Sequence, residues 1–207
     1  MHKVGFTRAS VDHNIFVKNG KYGSAMVTVH VDDMAATADN MMTLQHTLKT
    51  LQMIIDLVDM GLIKWFLGMQ VSRDHRAQTI SLSQSAYIDT VLKWFGMTDA
   101  YGISTPLDPK VILSTDICPS TEKEKDKTCN VPYLATVGSL MYVSMATCLD
   151  ITYATNKLSQ FNSNLGFCHW TAVQHVLHYL NLRVSYWGHE ISKSTSVDCN
   201  KIYVVAV

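Results

Sequence analysis

The chain has 207 residues, 47% of them hydrophobic and 16% charged, which is enough apolar material for an ordinary core in one domain or two small ones. Seventeen Lys and Arg balance seventeen Asp and Glu, so the bulk positive field of many free-standing nucleic-acid binders is absent. Cys118, Cys129, Cys148, Cys168 and Cys199 are odd in number and form no C-x-x-C pair, and no apolar run approaches the roughly 18 residues of a membrane span. Disulfide frameworks, zinc ribbons, secretion and membrane insertion are therefore not expected, and an intracellular protein, cytoplasmic or nuclear, is.

His13 to Lys18 is β-rich and ends at Asn19-Gly20, with Gly23 soon after. From Ala25 to Val31 the valines at 27, 29 and 31 alternate with Met26, Thr28 and His30 at the strand period, so two strands joined by a tight turn are predicted. After Asp32-Asp33 comes the short, small-sided run Met34 to Ala38. Asp39 is then placed to cap a helix carrying Met41, Leu44, Leu48, Leu51 and Ile55. Ile63 to Val71 and Thr79 to Leu82 read as a further strand pair across the turn Arg73-Asp74-His75-Arg76, and Ser83 or Ser85 starts a helix packing Ile88, Val91, Leu92 and Phe95.

Pro106 and Pro109 interrupt this β-β-α-β-β-α order. The polar, mixed-charge run Ser114 to Asn130, with Glu122 to Lys127 at its centre, reads as a solvated linker. Past Pro132 three amphipathic helices are predicted from apolar residues spaced by threes and fours: Leu134, Val137, Met141 and Met145, then Ile151, Ala154, Leu158 and Phe161, then Trp170, Val173, Leu177 and Leu180. Lys201 to Val207 reads as a strand, which needs a partner elsewhere. The fold class expected is α+β, an antiparallel sheet with packed helices followed by a helical part.

Two adjacent carboxylates at the end of a valine-rich strand are unusual, because like charges repel next to a core. An Asp pair is tolerable there if the turn is exposed or a divalent cation neutralises it. Successive strand side chains point to opposite faces, so Asp32 and Asp33 can serve one metal only if the turn rotates one of them. Taken alone, Asp-Asp is also an ordinary turn dipeptide.

The ordered set of segments around the pair resembles the reverse transcriptase of copia-type retrotransposon polyproteins. The matching segments are Gly5-Phe6 with Asp12 and Phe16, Val31-Asp32-Asp33-Met34, Asp59-Met60-Gly61 with Trp65-Phe66-Leu67-Gly68, Ile80 to Gln84 with Tyr87-Ile88, Gly96-Met97 and Ser104 to Leu107. They continue in Pro132-Tyr133, Val137 to Tyr142, Thr147 with Asp150-Ile151, and His169-Trp170 with Val176-Leu177 and Tyr179-Leu180. An ordered set spanning Gly5 to Leu180 is far more specific than any one motif.

The resemblance implies a palm-like part over about residues 1 to 110, a polar linker at 111 to 131, a helical thumb and connection part at 132 to 183, and the start of a following segment at 184 to 207. It implies that Asp32 and Asp33 are the catalytic, metal-binding carboxylates, Asp32 as direct ligand and Asp33 beside it. The cofactor implied is Mg²⁺, and the partners are an RNA/DNA primer-template and a deoxynucleoside triphosphate. Such a site needs a further carboxylate from another strand, with two metals about 3.5 to 4 Å apart. In the family that carboxylate lies in an upstream segment, so this fragment of an RNA-directed DNA polymerase is expected to be inactive alone. The rival reading is a non-catalytic remnant that binds nucleic acid or protein.

The sequence departs from the family at His30, where the family has Tyr, at Cys148-Leu149 in place of Arg-Pro, and at Asn181-Leu182-Arg183 in place of a Lys-Gly-Thr-like ending. Cys168, His175 and His178 share helical spacing and could ligate a metal, although packing or surface roles are favoured. Trp65, Phe66, Trp94 and Phe95 could stack on bases, but core packing is the expected role. Lys193-Ser194-Thr195-Ser196 is similar to a string of the family's RNase H region. The acidic residues expected before it are missing, so no nuclease site is assigned.

Overall fold

The computed structural model describes residues 1–74, 76–77, 79–126, 128–186 and 202–206. It is an α+β structure with antiparallel sheets, and it divides into two compact units, Met1–Ser81 with Ser194–Val207, and Leu82–Lys193. The dividing point thus falls well before the polar linker. The Lys193 to Ser196 string, His75 of the predicted turn and Lys127 of the charged run lie outside the described residues.

The sheet unit contains β1 (Thr7–Arg8), β2 (Ile15–Gly20), β3 (Gly23–His30), β4 (Asp33–Ala38) and β8 (Ile202–Ala206), hydrogen-bonded in the order β1-β2-β3-β4-β8 with every neighbouring pair antiparallel. The small-sided run after Asp32 is therefore a strand. Its alternation is strict: Met34, Ala36 and Ala38 are buried while Asp33, Ala35 and Thr37 are half-buried. The buried face of β3 and β4 packs with Leu44, Leu48 and Leu51 of α1 (Met41–Gln52), as their spacing predicts. Each such leucine contributes roughly 1.5–3 kcal/mol by leaving water. Met41 stays exposed, and Ile55 packs against the core from the turn beyond the helix.

Two local expectations change. The residue capping α1 is Asn40, whose Oδ1 accepts from the Thr43 N–H at 2.8 Å. Asp39 instead accepts from the Ser24 N–H at 2.8 Å and ties β3 to the end of β4. The apolar run Ile63 to Val71 is not one strand but a hairpin, β5 (Trp65–Phe66) and β6 (Met69–Asp74), turning at Leu67-Gly68. Both turn residues have left-handed φ, 50° and 74°, the pattern of a two-residue hairpin loop, and Gly68 supplies it without a side-chain clash. β7 (Thr79–Ser83) completes a three-stranded sheet in the order β5-β6-β7.

The helical unit holds α2 (Ser85–Trp94), α3 (Glu122–Asp126), α4 (Tyr133–Ala146), α5 (Thr152–Ser159) and α6 (Phe167–Tyr186). Its core combines Ile88, Val91 and Leu92 of α2 with Val137, Leu140 and Val143 of α4, Ala154 and Leu158 of α5, and Val173, Val176, Leu177 and Leu180 of α6. The predicted α4 face needs correction. Of Leu134, Val137, Met141 and Met145 only Val137 is buried, and the packed face is Tyr133, Thr136, Val137, Leu140, Val143 and Ser144. Apolar residues ring α4, so spacing alone does not select a face.

The tryptophans also differ from expectation. Trp65 and Trp94 are 55% and 65% exposed, because one sits on a two-residue strand and the other ends α2 off its buried face. Phe66 and Phe95 are half-buried. Inside the linker, α3 forms because the Glu124 carboxylate accepts from the Thr121 and Ser120 N–H groups at 3.1 and 3.0 Å. These bonds, that from Thr121 foremost, hold the Glu124 carboxyl below its ordinary pKa.

Candidate metal centre at the hairpin between β3 and β4

β3 and β4 pair from Ala25↔Ala38 to His30↔Asp33, leaving Val31 and Asp32 as a two-residue loop. Val31 has φ 54°, a left-handed conformation that costs a β-branched residue on the order of 1–3 kcal/mol and persists where the flanking pairs enforce it. Asp32 is exposed at the loop, and Asp33 is half-buried as the first residue of β4. Because Asp32 belongs to the loop, strand alternation does not force it away from its neighbour.

His30 faces Asp33 across the ladder, on the sheet face opposite the buried one. Thr28, Ala35 and Thr37 continue that face. The hairpin thus sets two carboxylates and one imidazole at one end of the two central strands. A cavity of about 170 Å³ lies at the other end of β3, lined by Lys18, Lys21, Tyr22, Thr43 and His46 among others. Among the described residues no group of three or more His, Cys, Asp or Glu is arranged to hold a metal ion. Carboxylate oxygens are nonetheless hard donors of the kind Mg²⁺ takes, and Mg²⁺ commonly uses one or two of them with waters and substrate phosphates.

The weaker candidates resolve into packing. His175 Nε2 lies 2.9 Å from the Thr105 carbonyl and His178 Nδ1 lies 2.8 Å from the Tyr101 carbonyl, so both rings hold the 101–105 segment against α6. Cys168 is exposed and takes no part in a metal cluster among the described residues. Burial pushes the Cys148 thiol up to about 11, away from the thiolate form. One departure from the family pattern meets a matching segment in space: Arg183 reaches Asp150 at 2.8 Å, and Tyr179 Oη donates to the same carboxylate. Complementary charge at 150 and 183 was the available signal, but their pairing across 33 positions is invisible to local pattern.

The family model for reverse transcriptase (RNA-dependent DNA polymerase) matches residues 1–109, more than half of the chain. The chain belongs to this family and is a reverse transcriptase region of the copia-type retrotransposon polyprotein kind. It is 37% identical over 155 residues to the retrovirus-related Pol polyprotein from transposon TNT 1-94 of Nicotiana tabacum, covering 75% of this chain and 12% of that protein. It is 32% identical over 179 residues to the polyprotein from transposon RE2 of Arabidopsis thaliana, covering 86% and 12%. A putative transposon Ty5-1 protein of Saccharomyces cerevisiae is 26% identical over 186 residues, covering 87% and 56%. The chain thus spans 12% of the length of the first two. No solved structure matches it.

Proposed function

We propose that the sheet unit is the catalytic half of a reverse transcriptase palm and that the helices from α4 onward serve as its thumb and connection. The parent enzyme copies an RNA or DNA template onto a primer from deoxynucleoside triphosphates, inside the cell. The observation that carries this reading is the tight hairpin at Val31-Asp32, which sets Asp32 and Asp33 side by side at one end of the central strands in a chain of this family.

Asp32, free of the strand's alternation, is the direct metal ligand, and Asp33 holds the adjoining position. Bound Mg²⁺ supplies charge neutralisation at the transferring phosphoryl group and lowers the pKa of the primer hydroxyl. The chain's own residues orient that ion and fix its distance from the sheet. His30, opposite Asp33, places an imidazole where the family carries a phenol. Because a two-metal centre needs a further carboxylate from another strand, the 207-residue polypeptide alone is expected not to extend primers.

The test is a chimera in which residues 1–109 replace the matched segment of the tobacco relative's polyprotein. Primer extension in Mg²⁺ is expected, with a loss of roughly a thousandfold or more on Asp32→Asn. Extension that Asp32→Asn leaves unchanged refutes the assignment.

A further inference from the structure

The end of β3 away from the Asp32-Asp33 hairpin has the opposite charge character. Over residues 1 to 31 the chain holds Lys3, Arg8, Lys18 and Lys21 against the single carboxylate of Asp12, although its full length is neutral. Lys18 and Lys21 line the cavity of about 170 Å³ between the β2–β3 turn and α1, with Tyr22, Thr43, His46 and Thr47. Among the described residues no Asp or Glu lines it, and Asp39, which approaches the turn at Gly23, already accepts from the Ser24 N–H at 2.8 Å. Neither lysine forms an ion pair among the described residues. Their ammonium groups lie over rings instead, Lys18 at 5.6 Å from the centroid of Phe6 and Lys21 at 5.9 Å from that of Tyr22.

The walls of the cavity are held in place. Asn40 Nδ2 and the Thr43 hydroxyl both donate to the Tyr22 carbonyl, at 2.7 and 2.9 Å, which ties the β2–β3 turn to the start of α1. Gly20 and Gly23, also in the lining, bring no side chain between a ligand and the main chain. Thr47 is 2% exposed, and its hydroxyl has no hydrogen-bond partner among the described residues. A buried donor left in that state is costly, and a bound oxygen relieves it.

We propose that this cavity seats one phosphate of a single-stranded nucleic acid, with the adjoining base stacked on Tyr22. Sites that enclose a whole small molecule run to roughly 300–1,000 Å³, so the volume suits a single phosphate of a longer chain. Two unpaired ammonium groups and a hydroxyl supply the charge and the donors that a phosphate takes. Tyr22, 65% exposed at the rim, offers the ring on which bases stack without regard to sequence. Seven residues separate Gly23 from His30, roughly 23 Å of strand. The site is therefore separate from the hairpin, does not depend on the reading of Asp32 and Asp33, and gives the sheet unit a second hold on a strand.

Amide NMR of the intact 207-residue chain reads the site locally, with inorganic phosphate and a twelve-nucleotide oligothymidylate as probes. Both should shift the amides of Lys21, Gly23 and Thr47, the oligonucleotide at concentrations at least tenfold lower. Lys21→Gln should weaken both about fivefold and reduce the salt slope of oligonucleotide binding by about 0.7, the value for one single-strand phosphate contact. Tyr22→Leu should weaken the oligonucleotide about tenfold and leave phosphate binding unchanged. Both positions are exposed, so the fold is retained. Asp32→Asn should alter neither response. Amides at this corner that respond to neither probe, an unchanged slope in Lys21→Gln, or equal losses for the two probes in Tyr22→Leu overturn the proposal. A response to phosphate alone overturns the nucleic-acid assignment in favour of the free anion, and a response lost on Asp32→Asn overturns it by placing the binding at the hairpin.

Discussion

The two units differ in the extent of their cores. The sheet unit closes over Phe6, Phe16 and Met34 and over small residues, Ala25, Val27, Ala36 and Ala38, with one row of leucines from α1. The helical unit buries Ile88, Leu140, Ile151, Leu158, Leu177 and Leu180, all at 0% exposure, together with Tyr133. Larger side chains bring more dispersion contacts and more apolar area out of water. The candidate chemistry therefore sits on the thinner core, at the loop end of a hairpin, while the heavier core carries no candidate metal centre among the described residues.

The largest effect that sharpens this contrast is Leu177→Ala. Truncating a fully buried leucine should cost about 2–5 kcal/mol and lower the unfolding midpoint of the helical unit, read by denaturant titration with a probe in that unit. Val27→Ala, also fully buried, should cost roughly 1–2.5 kcal/mol in the sheet unit, as fewer methyl groups leave the core. If Val27→Ala proves the more damaging of the two, the ranking of the cores is wrong.

Buried polar groups refine the comparison. Tyr133 Oη donates to the Leu158 carbonyl at 2.8 Å, joining the start of α4 to the end of α5, and burial raises its phenol pKa. Tyr133→Phe leaves that carbonyl unpaired and should cost about 1–2 kcal/mol, measured as a shift in midpoint with the slope unchanged. His169 is fully buried, stacked on Phe161 at 3.9 Å between centroids, and its Nδ1 accepts from the Gly166 N–H at 2.9 Å. Burial lowers its pKa below the ordinary histidine value. The unfolded chain then takes up a proton more readily, so the contribution of His169 is fully present above about pH 6.5 and is lost as pH falls through the depressed folded value. His169→Gln should flatten the stability of the helical unit in that window, and an unchanged acid limb would exclude the role.

How much of this was legible depended on whether the cause was local. The leucine row of α1, the Ala154-Leu158 face of α5, the Val173-Leu177-Leu180 face of α6 and the strand character of 202–206 all follow from period and composition, and all are observed. The Asp32-Asp33 turn was visible because two carboxylates closing a valine strand are rare, and the ordered motifs gave it an interpretation. The α4 face was not legible because apolar residues ring the helix. The break at Leu67-Gly68 was hidden by the apolar run around it, and Asn40 and Asp39 are both good caps that only the path of β4 separates. The β4–β8 pairing and the Arg183–Asp150 contact are set by tertiary closure, to which periodicity is blind.

α1 and α4 offer a smaller test of the same point. Asn40→Ala should cost about 1 kcal/mol, since it removes the bond to the Thr43 N–H and the 2.7 Å donation from Nδ2 to the Tyr22 carbonyl. Met145→Lys, on the exposed side of α4, should change stability by no more than about 0.5 kcal/mol. A large loss there would restore the face that spacing alone suggested.

An effect of opposite sign is expected at the hairpin loop itself. Val31 holds φ at 54°, which asparagine tolerates better because its short polar side chain bonds locally. Val31→Asn should therefore raise the stability of the sheet unit by up to about 1 kcal/mol, and Val31→Ile should leave it unchanged or slightly lower. Both keep Asp32 and Asp33 in register, since the His30↔Asp33 pair closes the loop. If Val31→Asn destabilises the unit, the flanking strands are not what imposes the left-handed turn.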